Sequence, residues 1–170
     1  MAPHRSGSGS LPLLAACGRT QVSETEEDEI RQYVAADMVW PSLIRDAQLH
    51  GMLPVLARNL SHHARDLVPE DQYECLRNLY RAQGARNFLI FRTLLHASEQ
   101  LHSAGIPAIA IKGPMLARRA YGDLSLRQFA DLDFLIRQTD VDAIISTLGA
   151  AGYRHVRTGQ NWRYLKFQSP

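Results

Sequence analysis

The stretch Phe129-Ala130-Asp131-Leu132-Asp133-Phe134-Leu135-Ile136 constrains the fold of this chain more than any other. From Asp131 onward it alternates with a period of two, which predicts a strand. Successive side chains of a strand point to opposite faces, so Asp131 and Asp133 are expected on one side, about 7 Å apart along the backbone. Leu132 and Phe134 are expected on the other side, in a core. Two like charges side by side at the mouth of a buried strand repel unless a cation lies between them. Magnesium prefers carboxylate oxygens and keeps positions open for substrate phosphates, so it suits that pattern, with manganese as the alternative. Read without context, an Asp-x-Asp at a strand start is also ordinary solvated loop chemistry.

The context is the segment Ile106-Pro107-Ala108-Ile109-Ala110-Ile111-Lys112-Gly113-Pro114-Met115-Leu116-Ala117-Arg118-Arg119-Ala120-Tyr121. Its apolar run to Ile111 is short, rich in β-branched residues and bounded by Pro and Gly, which predicts a buried strand. Gly113 permits a tight turn and close backbone approach, and Pro114 suits the first position of a helix. A helix starting there offers free amides to an anion, with Lys112 beside them. Strand, glycine turn, helix, and then a strand with two carboxylates is a plan for holding a nucleoside triphosphate and its metal.

The block Ile111-Lys112-Gly113, then Tyr121-Gly122-Asp123, Arg127, and Asp131-Leu132-Asp133-Phe134-Leu135-Ile136 resembles the uncharacterised nucleotidyltransferase family of the DNA polymerase beta superfamily. The resemblance runs from about Trp40 to Gly152-Tyr153. It implies an α+β fold, a mixed sheet with flanking helices. It also implies catalytic, metal-binding roles for Asp131 and Asp133, and nucleotide binding by Lys112, Gly113 and Arg127. Arg127 is expected to contact phosphate or to clamp its loop by pairing with Asp123. The implied reaction is metal-dependent transfer of a nucleoside monophosphate from a nucleoside triphosphate to a hydroxyl acceptor on a protein, a sugar or a small molecule.

In the superfamily a third carboxylate on a later strand joins the Asp pair in binding two magnesium ions, which the resemblance implies for Asp131 and Asp133 here. Residues 157–170 contain no Asp or Glu, so the chain is expected to be a C-terminally incomplete or degenerate member, with catalysis dependent on an acid supplied from elsewhere. The alternative expectation is a non-catalytic nucleotide-binding or protein-interaction module of the same fold.

Composition narrows the class of protein. The chain has 170 residues, 45% of them apolar and 21% charged, and this suits one globular core. A net charge of only +2 does not indicate nucleic acid as a partner. From Lys112 onward there are nine Lys/Arg against five Asp/Glu, with ten against twelve before it, so the basic excess lies around the expected phosphate site. Cys17 and Cys75 lack metal-type spacing and predict a reducing, cytoplasmic setting. Leu14-Ala15-Ala16-Cys17 has the form of a lipoprotein cleavage box. The polar Ser6-Gly7-Ser8-Gly9-Ser10 before it leaves too short an apolar stretch for a secretory signal. No segment has the length of a membrane span.

Three regions are expected: a flexible tail over 1–22, a helical region over 23–105, and a partial nucleotidyltransferase core over 106–170. Ser23-Glu24-Thr25-Glu26 has capping-box form, and Ile30, Tyr33, Val34 and Met38 make a helical stripe. Pro41 and Pro54 mark the starts of two short helices. A long helical pattern over 69–103 offers Tyr73, Leu76, Tyr80, Ile90, Phe91, Leu94 and Leu95 to a core, with Gly84 as a point of division and Gly105 and Pro107 as the stop. Asp140 and Asp142 are read as caps of a further helix rather than metal ligands. His62 and His63 are placed on the surface without a carboxylate partner. Residues 153–156 and 162–167 are expected as two final strands. Their Arg154, Arg157, Arg163 and Lys166 serve either a phosphate or the protection of a sheet edge.

Overall fold

A computed structural model describes residues 10–36, 38–156 and 166–170. The fold is α+β and mostly helical. The helices are α1 (Ser10–Ala16), α2 (Glu24–Ala35), α3 (Trp40–Leu49), α4 (Leu53–His63), α5 (Glu70–Ser103), α6 (Gly113–Leu116) and α7 (Val141–Ala150). The strands are β1 (Ala108–Ile111), β2 (Asp133–Ile136), β3 (Arg154–Val156) and β4 (Lys166–Gln168). Among the described residues they form two separate antiparallel pairs, β1 with β2 and β3 with β4, in place of the mixed sheet expected. The chain divides into two compact units: one takes residues through Asn87 together with Ala117–Phe129, the other Phe88–Leu116 together with Ala130–Pro170.

The first unit is built around a helical core that includes Leu13, Ile30, Leu43, Leu56, Leu60 and Leu76. From Ser10 onward, its N-terminal helix takes the place of part of the flexible tail expected over 1–22. Leu13, Leu14 and Cys17 are buried, because Leu11-Pro12-Leu13-Leu14-Ala15-Ala16 is apolar enough to form a core helix and has a groove between α2 and α3 to fill. Cleavage-box residues Leu14 to Cys17 are therefore part of a folded helix end, with Leu14, Ala16 and Cys17 in the core. Burial pushes the Cys17 thiol up to about 12. The buried amide of Asn59 donates to the Cys17 and Arg19 carbonyls at 2.8 and 2.9 Å, satisfying backbone that the end of α1 leaves open.

The capping box is present at α2, where the Glu26 carboxylate accepts from the Ser23 backbone N–H at 2.8 Å. Pro41 and Pro54 stand in the first turns of α3 and α4, as their fixed φ favours. His63, expected without a carboxylate partner, has one: its Nδ1 lies 2.8 Å from Glu27 and ties α4 to α2. Arg31 donates two hydrogen bonds to Asp66, which holds that carboxyl below the usual range. Gly84 does not divide α5. A Cβ there would come within 3.4 Å of the Ser125 Oγ, so the glycine serves a close approach within an unbroken helix of 34 residues.

In the second unit, Ala97, Leu101, Ile106, Ile144, Leu148 and Tyr153 form the core, with Ala108, Phe134 and Ile136 packed on it. Leu94 is buried as expected, whereas Leu95, one position round the helix, is exposed. Strand β1 is not the fully buried strand that its apolar run predicts. With one face of the ladder on the core, period-two alternation sends Ile109 and Ile111 outward. Asp140 occupies the N-cap position of α7 without a capping hydrogen bond from its side chain. The Tyr153 hydroxyl meets His96 Nδ1 at 2.9 Å, and burial pushes its pKa up. Strand β3 matches the first of the two expected final strands. Arg157 and Arg163, with most of the second strand, lie outside the described residues. No helix among the described residues is long and apolar enough to cross a membrane.

Candidate functional site

The antiparallel register decides which residues meet. Ala108 pairs with Ile136, Ile109 with Leu135, Ala110 with Phe134, and Ile111 with Asp133. The last residue of β1 thus lies opposite the first residue of β2. The next two residues of the chain, Lys112 and Gly113, therefore emerge at the end of the ladder where the Asp131-Leu132 segment arrives.

Both turn residues are left-handed, Lys112 with φ 54° and Gly113 with φ 37°. Glycine enters this region freely, whereas a lysine there is strained and persists only where its surroundings impose it. The reason for glycine at 113 is spatial as well: a Cβ on it would lie 3.3 Å from the Asp131 carbonyl oxygen. The glycine turn is packed on the backbone that leads into β2. From the same turn the Lys112 ammonium reaches Asp133, with Nζ 3.1 Å from Oδ2. Both side chains face solvent, at 67% and 39% exposure, so the pair is a water-screened contact rather than a buried one.

Two expectations about this site need correction. Asp131 and Asp133 are not carried on one strand: the ladder begins at Asp133, and Asp131 stands exposed in the irregular segment before it. Pairing stops there because β1 ends at Ile111 and offers Asp131 no partner. The helix expected to present its N-terminus to phosphate is also short. Helix α6 lasts four residues and gives way to a π-helical turn at Ala117–Tyr121. Positive charge at this end of the ladder comes from Lys112.

Magnesium commonly takes one or two carboxylates and completes its shell with water and substrate phosphate oxygens. Asp131 and Asp133, both accessible to solvent, suit a cation that arrives on a polyphosphate. Among the described residues no three or more His, Cys, Asp or Glu side chains gather to form an all-protein metal cage.

Arg127 belongs to the first unit. It makes no ion pair with Asp123 among the described residues; the Asp123 carboxylate accepts the Ser125 backbone N–H at 2.8 Å and caps the turn Leu124–Leu126. What fixes the segment around Arg127 is a residue that no motif singles out. Asn87, wholly buried, donates from Nδ2 to the Leu124 carbonyl at 2.7 Å and to the Arg127 carbonyl at 2.9 Å. Its Oδ1 accepts from Gln83 at 2.8 Å, one helical turn away. An amide pair at i, i+4 inside a long helix was the available signal. The first unit also has an open cleft of about 470 Å³ lined by Gly18, Arg19, Thr20, Gln21, Ala120 and Tyr121. Arg19 there is paired with Glu26 at 3.0 Å, and among the described residues no carboxylate lines the cleft.

No curated protein and no solved structure matches the chain significantly. A family profile does, and it spans both the glycine turn and the carboxylate segment. By that match over residues 36–168, the chain belongs to the uncharacterised nucleotidyltransferase family.

Proposed function

We propose that this chain binds a nucleoside triphosphate with magnesium, or manganese in its place, and, once a third carboxylate completes the site, transfers the nucleoside monophosphate to a hydroxyl acceptor. The reading rests on one observation above the others: Lys112-Gly113 packs against the Asp131–Asp133 segment, with Gly113 in contact with the Asp131 backbone and Lys112 at the Asp133 carboxylate. Residues that the chain separates by about twenty positions thus converge on one accessible end of a two-stranded ladder.

In this proposal Asp131 and Asp133 would hold the metal, which when bound would supply charge neutralisation at the phosphates and a more acidic attacking hydroxyl. Lys112 balances negative charge on the phosphate oxygens, and Gly113 lets the backbone approach them. Arg127 is proposed as a further phosphate contact on the strength of its position four residues before Asp131 in the motif. The acceptor oxygen forms a bond to the α-phosphorus and loses its proton to solvent. The bond from the α-phosphorus to the bridging oxygen breaks, and pyrophosphate leaves.

Calorimetry with a non-hydrolysable triphosphate and magnesium tests the site. Binding should depend on magnesium, and Asp131→Asn combined with Asp133→Asn should abolish that dependence while circular dichroism stays unchanged. Magnesium-dependent binding that survives in the folded double variant would remove both residues from the metal site. An α-labelled triphosphate incubated with an acceptor pool then separates transfer from binding alone, the non-catalytic reading.

A further inference from the structure

Lys112 places a cation at the oxygen a divalent metal would take. Its Nζ lies 3.1 Å from Asp133 Oδ2, and among the described residues no other cation pairs with that carboxylate. A magnesium ligand distance is about 2.1 Å, so holding both cations at one carboxylate oxygen is unfavourable, and the two compete for it. The contact is built in by the backbone. Register sets Ile111 opposite Asp133, and the left-handed turn at Lys112 then starts its side chain beside that carboxylate. The contact is also easily undone, since the lysine is two-thirds exposed and its ammonium rides on a flexible four-carbon stem.

We infer that Lys112 is a resident stand-in for the metal and sets the order of binding: it occupies Asp133 until a polyphosphate draws the ammonium away, so the site admits its cation as a metal–triphosphate complex and resists the bare ion. This deepens the nucleotidyltransferase reading and rests on it. Two accessible carboxylates hold a bare divalent ion loosely in any case, and Lys112 loosens it further. A triphosphate reverses both effects. Its oxygens complete the metal shell, and they give the displaced ammonium a new anionic partner. Lys112 therefore opposes metal binding in one state and supports nucleotide binding in the other.

The test measures Mn2+ binding by electron paramagnetic resonance on the full 170-residue chain, with and without a non-hydrolysable triphosphate. Lys112→Met should bind Mn2+ alone two- to five-fold more tightly than wild type, about 0.4–1 kcal/mol, and bind the Mn2+–triphosphate complex at least three-fold more weakly. Lys112→Arg, which keeps the charge, should follow wild type in both arms. Lys112→Asn is the second neutral variant, since asparagine tolerates the left-handed backbone, and it should behave as Lys112→Met does. Unchanged or weaker binding of Mn2+ alone in both folded neutral variants would overturn the inference and leave the nucleotidyltransferase reading intact. Asp133→Asn separates the two: Mn2+–triphosphate binding equal to wild type in that variant would overturn the reading itself, and the role of Lys112 with it.

Discussion

A Cβ added at Gly113 would press on the Asp131 carbonyl oxygen from 3.3 Å, on a backbone whose φ of 37° already disfavours L side chains. Gly113→Val adds a second difficulty, since a branched side chain resists positive φ more strongly. The turn must open, and it carries with it both the Lys112 side chain and the segment holding Asp131. Triphosphate affinity is expected to fall at least tenfold, or ~1.4 kcal/mol, in a variant that remains folded by circular dichroism. Unchanged affinity would reduce Lys112-Gly113 to a structural turn. At this scale the sequence was informative about adjacency, since Lys112-Gly113 and Asp131–Asp133 stand out as motifs and the ladder brings them to one end. It was uninformative about Asp131 leaving the strand and Lys112 turning left-handed. Both depend on where β1 ends relative to β2, a property of pairing that neither segment carries alone.

Among the elements, the loop from Asp123 to Arg127 is held by a single buried side chain at two of its carbonyls. Both amide hydrogens of Asn87 go to its carbonyls, and Asn87 is fully buried, so removing the amide takes from both carbonyls the donor that serves them. Asn87→Ala should cost about 1–3 kcal/mol in urea unfolding, the range for buried polar groups left without partners. Asn87→Asp, similar in shape but unable to donate, should be no better. A loss below about half a kcal/mol, the scatter of ordinary surface changes, would show that the loop has other anchors. Helices that announce themselves by caps and prolines, α2, α3 and α4, were legible in the sequence for local reasons. Helix α1 was not, because a short apolar stretch after a Gly/Ser run has the same pattern whether it packs or hangs free. Strand β1 misled in the other direction: four apolar residues suggest burial on both faces, but its ladder has only one face on a core.

At the scale of the molecule, the described residues form two cores of unequal size, sixteen buried apolar residues in the first cluster against six in the second. The sequence suggests a boundary at residue 105, because that is where helix gives way to strand. Helix does give way to strand there, and the two compact units divide elsewhere, inside α5 at Asn87, with Ala117–Phe129 in the first unit. Helical periodicity runs unbroken through that point, so no local signal marks it. The first core contains its own reporter. Cys17 is fully buried with its thiol pushed up to about 12, while Cys75 is exposed. A thiol reacts as the thiolate, so Cys75 should be alkylated in the native protein and Cys17 only when the first unit opens. Leu56 is fully buried in the same cluster. Leu56→Ala removes apolar contacts and leaves a cavity, at a cost of about 2–5 kcal/mol. When closing is faster than alkylation, the labelling rate follows the population of the open form. A loss of about 2 kcal/mol then multiplies that population about thirty-fold. Cys17 in Leu56→Ala should therefore be modified at least about thirty times faster than in wild type, with Cys75 unchanged as an internal standard. Equal Cys17 rates in the two proteins would mean that the thiol is reached by a local motion of α1 that leaves the rest of this core closed.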